Sequence, residues 1–158
     1  MKTKLIEEFG LRGVYHPMGA DDPARLEEFE KTLGRPLPED YREFLLHLAP
    51  SMFSRNVEFR PLEPSPWRGS DGLNMLEVFY GPDKKDGYDV IRRYETADGI
   101  PEGMISISFD PGASKILLAL DEPAGRVYFQ DKDTGKVYLC ANTFTDFINS
   151  MELLDDDE

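Results

Sequence analysis

The sequence predicts an α+β fold, a mainly antiparallel sheet of about five or six strands with helices packed on one side. Apolar residues between Leu26 and Leu48 recur at spacings of three and four, as on one stripe of a helix, whereas from Met104 to Cys140 they alternate at a period of two. Turn residues at Asp110-Pro111-Gly112 and Asp133-Thr134-Gly135 then join the later strands into an antiparallel meander.

Taken in order, Leu5, Ile6, Phe9 and Leu11 form an apolar cluster that predicts a short lead-in helix. Asp22 and Pro23 open the first main helix, because the carboxylate accepts an orphan amide hydrogen bond and proline needs no donor in a first turn. Leu26, Phe29 and Leu33 make its buried stripe, and Gly34 ends it. After a Gly-x-Pro-x-Pro hinge, Pro38 opens a second helix with Tyr41, Phe44, Leu45 and Leu48 inward. Val57 to Phe59 is predicted as a short strand near a sheet edge, stopped by Pro61. A proline-rich connection through Trp67 leads to a strand near Leu73 to Tyr80, apolar on both sides and therefore central. Tyr88, Ile91 and Tyr94 fit a short helix that ends before Asp98-Gly99.

The second half is read as strands. Ile105, Ile107 and Phe109 point inward with Ser106 and Ser108 outward, Lys115 to Leu120 is a central strand, and Gly125 to Gln130 pairs with Lys136 to Cys140 as a hairpin. In that hairpin Val127, Phe129, Val137 and Leu139 are expected inward and Tyr128 and Tyr138 outward. A final helix over Thr143 to Leu153 carries Phe144, Phe147, Ile148 and Met151 on one stripe, and Asp155 to Glu158 form an acidic tail.

Composition narrows the function. With 158 residues the chain fits one domain able to bury a sizeable core unaided. Eighteen Lys and Arg stand against 31 Asp and Glu, a formal charge of −13, which disfavours nucleic acid and favours a basic partner. The single Cys140 rules out an internal disulfide framework, and two distant histidines argue against zinc. No apolar run approaches the roughly 20 residues that span a bilayer, and Glu7 and Glu8 interrupt the N-terminal apolar stretch that a secretory signal needs, so the cytoplasm is expected. Neither a phosphate-cradling glycine loop nor a nucleophile elbow is present, and His16 has no local catalytic partner, so neither catalytic residues nor a cofactor are expected. The loop around Asp83, Lys84, Lys85 and Asp86 lacks the alternating oxygen register of a calcium loop and reads as a solvated turn.

The order of an acidic amphipathic helix followed by Gly34, Leu37, Pro38, Asp40, Tyr41, Phe44 and Leu45 resembles the SUKH superfamily of Smi/Knr-type domains. Ile100 and Pro101 before the strand Met104 to Phe109, Gly125-x-Val127-Tyr128 leading to Asp131, and Ala141-Asn142-Thr143-Phe144-x-x-Phe147 extend the resemblance. It implies one SUKH-like domain over residues 20–153, a lead-in at 1–19 and a tail at 154–158. It also implies a protein-binding module without enzymatic activity, of the bacterial immunity type that neutralises a cognate toxin, possibly a nuclease, by occlusion. A regulator or scaffold of cell-wall synthesis is the alternative. The segment Ala49 to Asn56 departs from the pattern, and Phe129 to Lys132 lack the histidine common after the Val-Tyr pair, so no role of that histidine is carried over. Candidate contact residues are Glu58, Glu77 and Asp131 as acids at strand ends or exposed faces, Tyr128 and Tyr138 as an outward aromatic pair, and Trp67 on a loop. The oligomeric state is left open.

Overall fold

The computed structural model describes residues 1–14, 17–19, 22–63, 74–82, 88–110, 114–121 and 123–153. The chain passes from a helical turn at Lys4–Glu8 to strand β1 (Leu11–Arg12), helices α1 (Ala24–Leu33) and α2 (Glu39–Leu48), and strands β2 (Ser51–Phe53), β3 (Val57–Phe59), β4 (Asn74–Met75) and β5 (Val78–Phe79). Helix α3 (Val90–Thr96) follows, then β6 (Met104–Phe109), β7 (Lys115–Ala119), β8 (Val127–Gln130), β9 (Val137–Ala141), helix α4 (Phe144–Asn149) and β10 (Glu152–Leu153). Among the described residues seven strands form an antiparallel sheet in the order β1-β2-β5-β6-β7-β8-β9, and β10-β3-β4 form a smaller one. The α+β class is as read from the sequence. The larger strand number arises because β1, β2 and β10 are only two or three residues long, too short for periodicity to read, and because the strand read over Leu73 to Tyr80 is two, β4 and β5.

The helical corner forms as its residues dictate. The Ala24 amide donates to Asp22 Oδ1 at 3.1 Å, and Gly34 closes α1 at φ 78°, a left-handed conformation that costs glycine little. Glu30 then ties the corner together, accepting from the Leu37 amide at 2.7 Å and from Arg42 Nε at 3.1 Å. Asp40 at the start of α2 accepts from both the amide and the hydroxyl of Thr145, at 2.9 and 2.8 Å, and so fastens α2 to α4. Buried aromatic rings fill the space between these helices and the sheet. Phe44 lies 4.8 Å from Phe79 of β5 and 5.0 Å from Phe144 of α4, both edge to face, the geometry in which ring quadrupoles attract. Phe59 of β3 meets Phe147 of α4 at 5.1 Å, which packs the small sheet onto the same core.

Several expected strand details are corrected. β3 is not an edge strand: it is flanked by β10 and β4, and all three of its residues are buried. The predicted strand over Leu73 to Tyr80 is two short strands in two sheets, parted at Leu76 and Glu77. The last helix stops at Asn149, where Ser150 turns back to bond Phe147 and Asp146, and Glu152–Leu153 gain ladder bonds to β3 instead. Ser106 keeps the outward face, though it is buried there, whereas Ser108 is turned inward because the β6–β7 register shifts between them. Past that irregularity Ser108 faces Phe79 and Ile116 and donates to the Val78 carbonyl at 2.6 Å, whereas Phe109 joins Tyr80 and Tyr88 on the opposite face. The β8–β9 hairpin register sets Phe129 opposite Tyr138 and Tyr128 opposite Leu139, so Tyr138 and Cys140 turn toward the core and Leu139 turns outward.

His16, Trp67, the turn of Asp83 to Asp86 and the acidic tail lie outside the described residues.

Candidate partner-binding surface

Register places Met104, Ser106, Leu117, Tyr128 and Leu139 on the sheet face away from Phe44 and Phe144. Met104, Tyr128 and Leu139 are half-buried there, and the segment through Leu62 and Glu63 runs along the outer edge of β9 through amide bonds to Cys140 and Leu139. Two hollows open near one end of this face. The first, about 400 Å³, lies between the C-terminal turn of α3 and β6 and is lined by Tyr94, Glu95, Ile100, Glu102, Met104 and Ser106, among others. A second, about 150 Å³, continues past Glu102 and Met104 to Asp121, Arg126 and Tyr128.

Local chemistry positions these walls. Asp89 starts α3, its Oδ1 accepting from the Ile91 amide at 3.3 Å while Oδ2 accepts from Arg25 Nη2 at 2.9 Å, so α3 is tied to α1. Tyr94 leans on Phe29 of α1 with ring centroids 5.6 Å apart and remains 37 % exposed. Between the hollows Gly103 sits at φ 82°, and an added Cβ would come within 2.0 Å of Asp121 Oδ2. Asp121 in turn pairs with Arg35 of the hinge, which links the floor of this surface to the helical corner.

The six residues singled out from the sequence do not converge. Tyr128 lines the second hollow, and Glu77 is exposed beside β5, its amide donating to the Phe109 carbonyl at 3.2 Å. Glu58 and Asp131 are 4 % and 2 % exposed, so neither is the surface acid expected of it. Asp131 instead accepts from the Asp133 amide at 2.9 Å within the β8–β9 turn. Tyr128 and Tyr138 occupy opposite faces and make no pair, because Tyr128 lies opposite Leu139 and Tyr138 opposite Phe129. Trp67 is outside the described residues. Sequence reasoning missed Glu95, Glu102 and Met104, whose one visible signal was a short acidic connection between a helix and a strand.

The sequence profile of the SMI1 / KNR4 family (SUKH-1) matches residues 22–150. The chain belongs to this family. It is also 30 % identical, over 161 aligned positions covering 92 % of this chain and 82 % of the relative, to YokK of Bacillus subtilis (strain 168), a protein described as SPbeta prophage-derived and uncharacterized. The resemblance read over residues 20–153 thus takes in the span of the SUKH-1 profile.

Within this SUKH-1 domain two core groups, Cys140 and Tyr41, are held neutral. Burial raises the Cys140 thiol and the Tyr41 phenol above their usual ranges. Among the described residues no cluster of three or more His, Cys, Asp or Glu side chains is placed to hold a metal ion, and no helix is long and apolar enough to cross a membrane. Because thiolate is the reacting species, Cys140 should be alkylated by iodoacetamide at pH 8 at least ~100-fold more slowly in the native protein than in urea. Rapid native labelling followed by intact-mass measurement would contradict the burial that organises β9.

Proposed function

We propose that this SUKH-1 protein is a bacterial immunity protein, which neutralises a cognate toxin domain in the cytoplasm by binding and occluding it rather than by chemistry. Family membership is the observation that carries the reading. It is supported by the hollows at the end of the sheet, where half-buried Met104 and Tyr128 offer apolar contact beside exposed carboxylates. A chain of net charge −13 is suited to rapid encounter with a basic effector such as a nuclease, while buried aromatic and apolar contacts slow its release. The prophage origin of YokK fits a protein that travels with genes of microbial conflict.

The test is co-expression with the secreted, modular protein encoded beside this gene. Survival of cells carrying both, with the two proteins co-purifying, is the expected result. Equal killing with and without this protein, together with a pull-down dominated by wall-synthesis proteins, would replace the immunity reading with the regulatory one.

A further inference from the structure

We infer that the cleft between α3 and β6 takes an extended, basic segment of the partner protein, which adds as a short strand to Met104–Ser106; this rests on the protein-binding reading above. The argument begins with the phase of the β6–β7 ladder. The Leu120 amide donates to the Gly103 carbonyl at 2.7 Å, so residues 103 and 105 turn their polar backbone groups toward β7. Antiparallel ladders alternate, and Met104 and Ser106 therefore turn theirs the other way, into the cleft. On that side β5 is too short to reach them: it pairs with Ser108 and Phe109, and the Tyr80 amide takes the Ile107 carbonyl at 3.0 Å. The Met104 amide is satisfied locally by the Pro101 carbonyl at 3.3 Å. By this phase the Ser106 amide, the Ser106 carbonyl and the Met104 carbonyl face the cleft side rather than β7.

A sheet edge whose backbone groups are turned away from its ladder neighbour, facing a helix across a hollow of about 400 Å³, is the geometry in which a peptide strand is captured by main-chain bonds. Side-chain chemistry then selects the sign of the guest. Glu95 and Glu102 line the cleft and make no ion pair among the described residues, no lysine or arginine lines it, and Tyr94 presents an exposed ring beside them. An arginine or lysine on the incoming strand would meet both carboxylates and the ring face, which are attractive to a cation for separate reasons. An acidic segment would meet only repulsion.

The full chain can be tested with a bead-displayed library of linear hexapeptides. Selected peptides should be enriched in Arg and Lys, and the tightest should slow hydrogen exchange of the Ser106 amide at least tenfold while leaving the Ile105 amide, already bonded to β7, unchanged. The double variant Glu95→Lys/Glu102→Lys, both residues exposed, should bind that peptide at least tenfold more weakly with its unfolding curve unaltered. Selection of neutral or acidic peptides, or protection that maps away from Met104–Ser106, overturns the inference. The two readings fail separately: if the double variant protects cells against the toxin as well as the wild type does, the cleft is not the contact although immunity stands. Peptide capture at Ser106 by a chain that gives no protection leaves the cleft in place and removes the immunity reading.

Discussion

Phe44→Ala is expected to lower the free energy of unfolding by about 3–5 kcal/mol, read as a fall in the urea midpoint at unchanged slope. Phe44 is 1 % exposed and touches rings from three separate elements: Tyr41 of its own helix, Phe79 of β5 and Phe144 of α4. Truncation removes the transfer energy of one ring and leaves a void walled by rings that are themselves fixed by other neighbours, so collapse into the gap is restricted. A domain of this size has about 5–15 kcal/mol in total, and the substitution takes a large share of it. Leu62→Ala is the control, because Leu62 is 60 % exposed and its loss should change stability by less than about 0.5 kcal/mol. Equal effects at the two positions would mean that the aromatic seam between the helical corner and the sheet is not where the fold is held.

That seam was the legible part of the chain. Periodicity of three and four, the Asp22-Pro23 start, Gly34 and Pro38 are local signals, and each acts in the structure at the position where it was read. Misread features depended on partners distant in sequence or on a single irregular residue. Val57 to Phe59 looked like an edge because its neighbour β10 lies at the far end of the chain, inside residues whose apolar spacing also suits a helix. Tyr128 and Tyr138 looked like a pair because the phase of β9 was read without knowing which residue of β8 each faces, and the hairpin register sets Tyr138 opposite Phe129 instead. Glu95 and Glu102 carried no signal beyond a short acidic connection between a helix and a strand. Their relevance depends on the direction of the Ser106 amide, which follows from ladder phase and the shortness of β5, and neither property is written in a run of six residues.

Asp89→Ala is expected to cost about 3–5 kcal/mol, nearly as much as the loss of a core ring although it deletes only a carboxylate. Asp89 is 6 % exposed and does two things at once: it caps α3 and neutralises Arg25, whose side chain is only 17 % exposed. Alanine strands that guanidinium in a site where Nη1 is already buried without a partner among the described residues, and the penalty of an uncompensated buried cation exceeds the roughly 1 kcal/mol of a lost cap. The double variant Arg25→Met/Asp89→Ala should therefore be more stable than Asp89→Ala alone, a non-additivity that a double-mutant cycle in urea measures directly. Asp89→Asn, which keeps an acceptor for the Ile91 amide but not the charge, should fall between wild type and Asp89→Ala. If Arg25→Met fails to restore any stability, the pair is not what holds α3 against α1. A second consequence reaches the cleft, because α3 carries Tyr94 and Glu95 and this carboxylate is its ionic tie to α1. Even where the Asp89→Ala protein remains folded, the α3 wall should shift away from β6, and capture of a basic peptide should weaken in the same order as stability.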